Sequence, residues 1–297
     1  MQAEAWVRTH RNLTGPLELV QREPWASVFT APAEGGAVWL KACAPVHAFE
    51  VGLTAALAAR HPGVVSEVLA HDAERRWLLM ADAGERLGDL GNLPTRWLEI
   101  LPRYAELQIA ETPHAAEHLA GGVPDLRTAR LPELVEVVLR AELPIDADER
   151  AALAEELPRF AARCADLDAA GVGQTIQHDD LHMHNVYLRN GALRVLDWGD
   201  ASVAHPFCSL LETFRFLREQ NRLAPGDPWF GRLRDAYLEP WGPGHGAAFD
   251  LALRIAGIAQ TVAYLRLREA LPASDRPEFD RSFAVLLRRE LRRARDG

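Results

Sequence analysis

Residues 177–200 read Gln-His-Asp-Asp-Leu-His-Met-His-Asn-Val-Tyr-Leu-Arg-Asn-Gly-Ala-Leu-Arg-Val-Leu-Asp-Trp-Gly-Asp, and no other stretch restricts the fold as tightly. Asp180 and Asn185 lie five apart on a polar stretch. Two short apolar runs follow, 186–188 and 193–196, split by Asn190-Gly191. Asn-Gly between such runs predicts a two-residue hairpin turn, because both central residues must take positive φ. The hairpin would fold Asp197 back beside the loop that carries Asp180 and Asn185. Two carboxylates and an amide oxygen would then converge on one spot. That set suits Mg²⁺ bound to a nucleotide, with one carboxylate left to take a proton from an attacking hydroxyl.

A count supplies the second constraint. The chain holds 33 lysines and arginines, and all but Lys41 are arginine. An ammonium is a compact point charge that fits between phosphate oxygens, whereas a guanidinium is a wide planar fork. Lys41 closes the apolar run 37–41, just after Gly35-Gly36, which places the single lysine on a strand.

Asp180, Asn185 and the Asp197-Trp198-Gly199 triplet beyond the hairpin together resemble the kinase catalytic loop and its Asp-Phe-Gly equivalent. The run His178-Asp179-Asp180-Leu181-His182, with Asn185, resembles the aminoglycoside phosphotransferase and choline kinase-like family, whose loop reads His-Gly-Asp-Leu-His-x-x-Asn. The likeness is specific in 177–200 and looser over the rest of the chain. It implies an α+β, two-lobed protein-kinase-like fold. A small antiparallel-sheet N-terminal lobe would span 1–80, a hinge 81–88, and a mostly helical C-terminal lobe 89–297. It further implies transfer of the ATP γ-phosphate to a hydroxyl of a small molecule, with Mg²⁺. Asp180 would be the catalytic base, and Asn185 and Asp197 the metal ligands. Lys41, pinned by Glu50, would position the phosphates. Ser27, Met80, Asp82 and Ala83 would line the nucleotide pocket, with hinge backbone holding the adenine edge. His178 and His182 would brace the loop through backbone hydrogen bonds.

The chain departs from that pattern twice. Asp179 stands where the family has glycine, and Ser209 in 204–210 stands where it has an aspartate that braces the catalytic loop. Asp200 and Glu212, just past Asp197, are candidates to face the acceptor, or equally helix caps or surface residues.

Charge is unevenly spread. Residues 1–80 carry 8 acids and 7 bases, residues 81–275 carry 30 and 19, and residues 276–297 carry 4 and 7. The acidic middle block would bind the acceptor, and its field favours cationic acceptors such as amines. A net charge of −9 argues against a nucleic-acid partner. No apolar run approaches membrane-spanning length and the N-terminus lacks a signal pattern, so no membrane partner is expected. Cys43, Cys164 and Cys208 are odd in number and outside metal-ligand spacing, as in a reduced, cytoplasmic protein.

Strands are expected at 17–20 and 27–30, with 21–26 as a turn over the nucleotide, and again at 64–70 and 77–80. A helix over 48–60 would carry Glu50 in its first turn. Residues 81–84 break the pattern as the interlobe hinge. Helical stripes follow from Leu93 onward, with Pro102 implying an early kink or a late start. They recur at 153–167 (closed by Gly171), 251–265 and 283–287. Arg288, Arg289, Arg292, Arg293 and Arg295 would form a solvated outer face. Segments 224–228 and 240–246 read as connections.

Two rival readings remain at this level. The cluster of His178, Asp179, Asp180, His182 and His184 would suit a metal-dependent hydrolase, but it leaves Lys41, Asn185 and Asp197 without a role. A catalytically silent kinase-fold protein that only binds nucleotide would normally lack the lysine, the base or the metal aspartate.

Overall fold

The computed structural model describes residues 2–295, with side chains through Arg293. An N-terminal helix, α1 (Gln2–His10), precedes β1 (Glu18–Glu23), β2 (Ala26–Ala31), β3 (Val38–Cys43), α2 (Phe49–Arg60), β4 (Val68–Asp72) and β5 (Trp77–Ala81). These strands form one antiparallel sheet in the order β1-β2-β3-β5-β4. The register sorts its side chains by alternation. Trp39, Lys41 and Cys43 share a face with Val28, Leu78 and Met80, and α2 covers part of it through Val51. The opposite face, with Leu40, Ala31 and Leu79, is capped by Val7 of α1. Helix α1 lies outside the sequence expectations above. Its apolar contacts are Ala3, Trp6 and Val7, a stripe only one turn long.

The first hairpin is tighter than expected. β1 runs on to Glu23, so only Pro24 and Trp25 turn, and Gln21 and Arg22 are strand residues. Residues 82–84 then lead to β6 (Glu85–Arg86), which pairs with β9 (Val186–Arg189) rather than with the first sheet. A close approach fixes this crossing. Gly84 has φ +93°, and a Cβ there would lie 2.4 Å from the Leu188 carbonyl oxygen.

Beyond it, α3 (Pro94–Glu111) starts at Pro94 and continues through Pro102, so the late start is not observed. There follow α4 (Ala115–Ala120), β7 (Asp125–Leu126), α5 (Leu131–Arg140), α6 (Ala147–Ala169), β8 (Thr175–Gln177), β9, β10 (Ala192–Val195), β11 (Ser202–Ala204), α7 (Leu210–Asn221), α8 (Pro228–Leu238), α9 (Gly246–Ala270) and α10 (Arg276–Arg295). One large apolar core, built on Trp97, Tyr104, Phe160, Trp198, Phe207 and Phe249, unites most of these elements, and α10 packs through Phe283, Leu286 and Leu287 in a second cluster with Val138, Leu153 and Leu265. Against the expectation from sequence, α9 is long and apolar enough to cross a membrane. Ile255, Ile258 and Leu265 are buried in the protein, so its apolar character serves the core.

The arginine run is only partly a solvated face. Arg288 pairs with Glu149 at 2.7 Å, and Arg289 and Arg293 flank the buried Glu290. The side chain of Arg295 lies outside the described residues.

A polar node joins α2 to the helical part. Glu111, fully buried at the end of α3, accepts two bonds from Arg60, both 2.8 Å. It also binds His61 at 2.6 Å and His118 at 2.7 Å. Burial works against its charge, yet His118, His61 and Arg60 hold the carboxyl well below its ordinary value. Glu111→Ala leaves three donors facing a dry void, and a destabilisation of about 3–5 kcal/mol is expected from denaturant titration. The depressed carboxyl contributes stability above its unfolded value near 4.5, and that contribution disappears as pH falls through the native value. Glu111→Gln should therefore flatten the acid limb of the stability curve.

Candidate active site

Asn190 and Gly191 take φ of +52° and +76° and join β9 to β10 as the hairpin predicted from sequence. Two bonds tie the hairpin exit to the loop. The Leu196 N–H donates to Asn185 O at 2.9 Å, and His178 Nε2 donates to Leu196 O at 2.7 Å. The chain then turns sharply at Asp197, whose φ and ψ are 64° and 63°, and presents its half-exposed carboxylate to the cleft.

Lys41 reaches that carboxylate from β3. Its Nζ lies 2.6 Å from Asp197 Oδ1 and 2.6 Å from Glu50 Oε1 on α2, and the lysine is 5% exposed. Burial disfavours the ammonium, but Asp197 and Glu50 raise its pKa above the ordinary lysine value. The Asp197 carboxyl is likewise opposed by burial and drawn by Lys41 down to about 2. Burial raises the Glu50 carboxyl above its ordinary value, with Lys41 opposing.

Asp180 receives Asn185 Nδ2 at 2.9 Å and His182 Nε2 at 3.1 Å. His182 Nδ1 accepts from the His184 N–H at 3.1 Å, so Nε2 carries the proton it donates to Asp180. The His182 ring stacks on Phe216, with centroids 4.1 Å apart. His182 therefore braces the Asp180 side chain itself, not only backbone. The Asn185 amide nitrogen is spent on Asp180, and Oδ1 makes no hydrogen bond among the described residues. Asn185 Oδ1 and the free Asp197 oxygen are hard oxygen donors of the kind Mg²⁺ takes.

Both departures from the family pattern have a physical account. Asp179 sits at φ +64°, the left-handed region where glycine is easiest. Its carboxylate accepts from Gln177 Nε2 and, at 2.7 Å, from Ser202 Oγ. Burial raises that carboxyl to about 6, with the hydrogen bonds opposing. Loop bracing passes from Ser209 to Tyr104. The His178 N–H donates to the Tyr104 hydroxyl at 3.0 Å, and that hydroxyl meets Ser209 Oγ at 3.0 Å. Thr213 Oγ1 adds a bond to Leu181 O at 2.6 Å.

The nucleotide-lining candidates are placed unequally. Met80 lies opposite Trp39 on the Lys41 face. Ala83 is buried, and its backbone groups have no hydrogen-bond partner among the described residues. The Asp82 carbonyl already accepts from Arg189 at 2.6 Å. Ser27 requires correction. It pairs with Ala42, so alternation puts its side chain on the face turned away from Lys41. Half-buried Trp39, absent from the sequence-derived set, shares the lysine's face; its position two before Lys41 on a strand was the available signal.

A cavity of about 330 Å³ adjoins Asp180, lined by Asp179, Asp197, Asp200, Glu212 and the aromatic rings of Trp25, Tyr264 and Phe279. Asp200 is a third exposed there, and burial plus Asp180 and Asp197 raise its carboxyl to about 8. Glu212 also lines it, but is engaged by Arg215 and, at 2.9 Å, by Gln260.

The antiparallel sheet carrying Lys41, joined to a helical part carrying Asp180 and Asp197, is the protein-kinase-like fold. Three solved structures share it at a TM-score of 0.64. They are a macrolide 2'-phosphotransferase type I (14% identity, 95% of each chain covered), the choline kinase LicA from Streptococcus pneumoniae (12%; 96% of this chain, 97% of that one), and the GDP and kanamycin complex of APH(2")-IIia (15%; 97% and 98%). No curated protein sequence matches the chain. The model of the phosphotransferase enzyme family matches residues 40–251, and the chain belongs to that family.

Proposed function

We propose that this protein transfers the γ-phosphate of ATP to a hydroxyl of a small cationic molecule. The observation that carries the reading is the Lys41 ammonium, 2.6 Å from both Glu50 and Asp197, residues that come from separate parts of the fold. Lys41 is positioned to hold nucleotide phosphates, and Trp39, Met80 and Ala83 to line the base. Asn185 and Asp197 would hold Mg²⁺, which when bound offsets phosphate charge and fixes phosphate geometry. Asp180, oriented by Asn185 and His182, takes the proton of the acceptor hydroxyl as its oxygen attacks phosphorus. Catalysis here is positioning and electrostatics, so no covalent enzyme intermediate is needed.

The acceptor cavity supports the cationic preference. It sets carboxylates beside the rings of Tyr264 and Phe279, whose centroids are 5.4 Å apart, and aromatic faces attract cations. The hydrolase alternative loses its ligands, because both ring nitrogens of His182 and Nε2 of His178 are hydrogen-bonded within the protein. A silent nucleotide binder leaves unexplained why Asp180 is so closely oriented.

Calorimetric titration with a non-hydrolysable ATP analogue tests the nucleotide half. Binding should require Mg²⁺ and weaken at least about tenfold in Asp197→Ala, because the remaining Asn185 amide is a neutral ligand for a hard cation. Equal binding with and without metal would refute the assignment of Asn185 and Asp197.

A further inference from the structure

We infer that Arg266 is a positioning residue of the phosphoryl transfer: from α9 it clamps the loop that enters α2, and through that loop it holds Glu50 against Lys41. The inference rests on the phosphotransferase reading above and concerns how the same site is kept in register.

The start of α2 is poorly secured by its own sequence. Glu50 is the second residue of the helix, and the residue before Phe49 is Ala48, whose side chain makes no capping bond to the orphan N–H groups there. A carboxylate in such a turn would drift as the turn frays, yet Glu50 Oε1 is held 2.6 Å from Lys41 Nζ. Two contacts from the helical part secure it. The first is Gly199, whose bare backbone lets the loop come close: a Cβ there would lie 2.6 Å from His47 Nδ1 and 3.0 Å from Glu50 Oε2.

Arg266 supplies the second contact. Its Nη1 donates to Val46 O at 3.1 Å, a tie between residues 220 apart in the chain. Its guanidinium carbon also lies 5.5 Å from the centre of the Phe49 ring. One side chain therefore grips a carbonyl just before the helix and a ring at its first position. Arginine suits this double task. An apolar side chain could pack on Phe49 but would leave the Val46 carbonyl without its donor, whereas a planar guanidinium both donates and lies over an aromatic face. Burial lowers the Arg266 pKa, and Asp200 and Asp179 oppose that shift. Both acids line the acceptor cavity, which places the clamp where that cavity meets α2.

The single lysine makes the test direct. The full chain labelled with ¹⁵N only at lysine has one Nζ, that of Lys41. In wild type its ammonium should give one resonance protected from solvent exchange. Calorimetry with Mg²⁺ and the non-hydrolysable ATP analogue gives the matching affinity. Folded Arg266→Met should lose the protection and bind the analogue about fivefold more weakly, within the range for coupled neighbours. Arg266→Lys keeps a charged donor and should retain the Lys41 signal beside its own, and Arg266→Gln serves if the Met variant melts early. In a Glu50→Gln background the Arg266→Met change should cost less than about twofold, since the pair it positions is already broken. A residue that only stabilises the fold would lower the melting temperature and leave the Lys41 signal and the affinity unchanged. That result, or equal losses with and without Glu50, overturns the inference alone. Wild type that binds no analogue overturns the phosphotransferase reading, and the role of the clamp with it.

Discussion

Lys41→Arg is expected to give a folded protein whose phosphoryl transfer falls on the order of a hundredfold, the cost of about 1 Å of misplacement. Charge is conserved, so a surface cation would tolerate the change. Lys41 is no surface cation: it is buried with one carboxylate from α2 and one from the Asp197 turn, each at 2.6 Å. A guanidinium is wider, and its planar fork cannot enter a slot shaped for a single nitrogen. It would either displace Asp197, and so the metal ligand, or break from Glu50 and leave a buried carboxylate unpaired. Steady-state kinetics beside a thermal melt checks this. Wild-type kcat/KM in the arginine variant would show that the lone lysine is an accident of composition.

Asp180→Asn is the second large effect. The amide is close to isosteric, so the bonds from Asn185 and His182 can largely re-form around one oxygen and the fold should survive. The variant has no carboxylate to take the hydroxyl proton. Turnover should fall by about 10²–10⁴, while binding of the ATP analogue stays within a few-fold. Loss of nucleotide binding to the same extent as turnover would mean that Asp180 shapes the nucleotide site instead of serving as base.

The sequence stretch 177–200 was legible because its signals are local. Asn190-Gly191 dictates a hairpin, and the hairpin dictates where Asp197 returns. Lys41 was legible through its rarity and Glu50 through its place at the start of a helix. The misplacement of Ser27 has a different origin. One residue of register moves a side chain to the other face of a sheet, and no local signal marks that Ser27 pairs with Ala42 and Val28 with Lys41 across β2 and β3. Tyr104 and Ser209 are 105 residues apart, and the exchange of bracing roles between them is a tertiary event. Glu111 carries no signal of its own in the sequence, and its role comes from Arg60, His61 and His118, which close around it in the fold.

The most direct measurement is phosphorus NMR of a reaction containing wild-type protein, ATP, Mg²⁺ and a panel of hydroxyl-bearing amines. A new phosphomonoester resonance should grow in step with ADP, only with an acceptor present, and should vanish in Asp180→Asn. ADP appearing with inorganic phosphate alone, at a rate indifferent to every acceptor and to Asp180, would contradict the account.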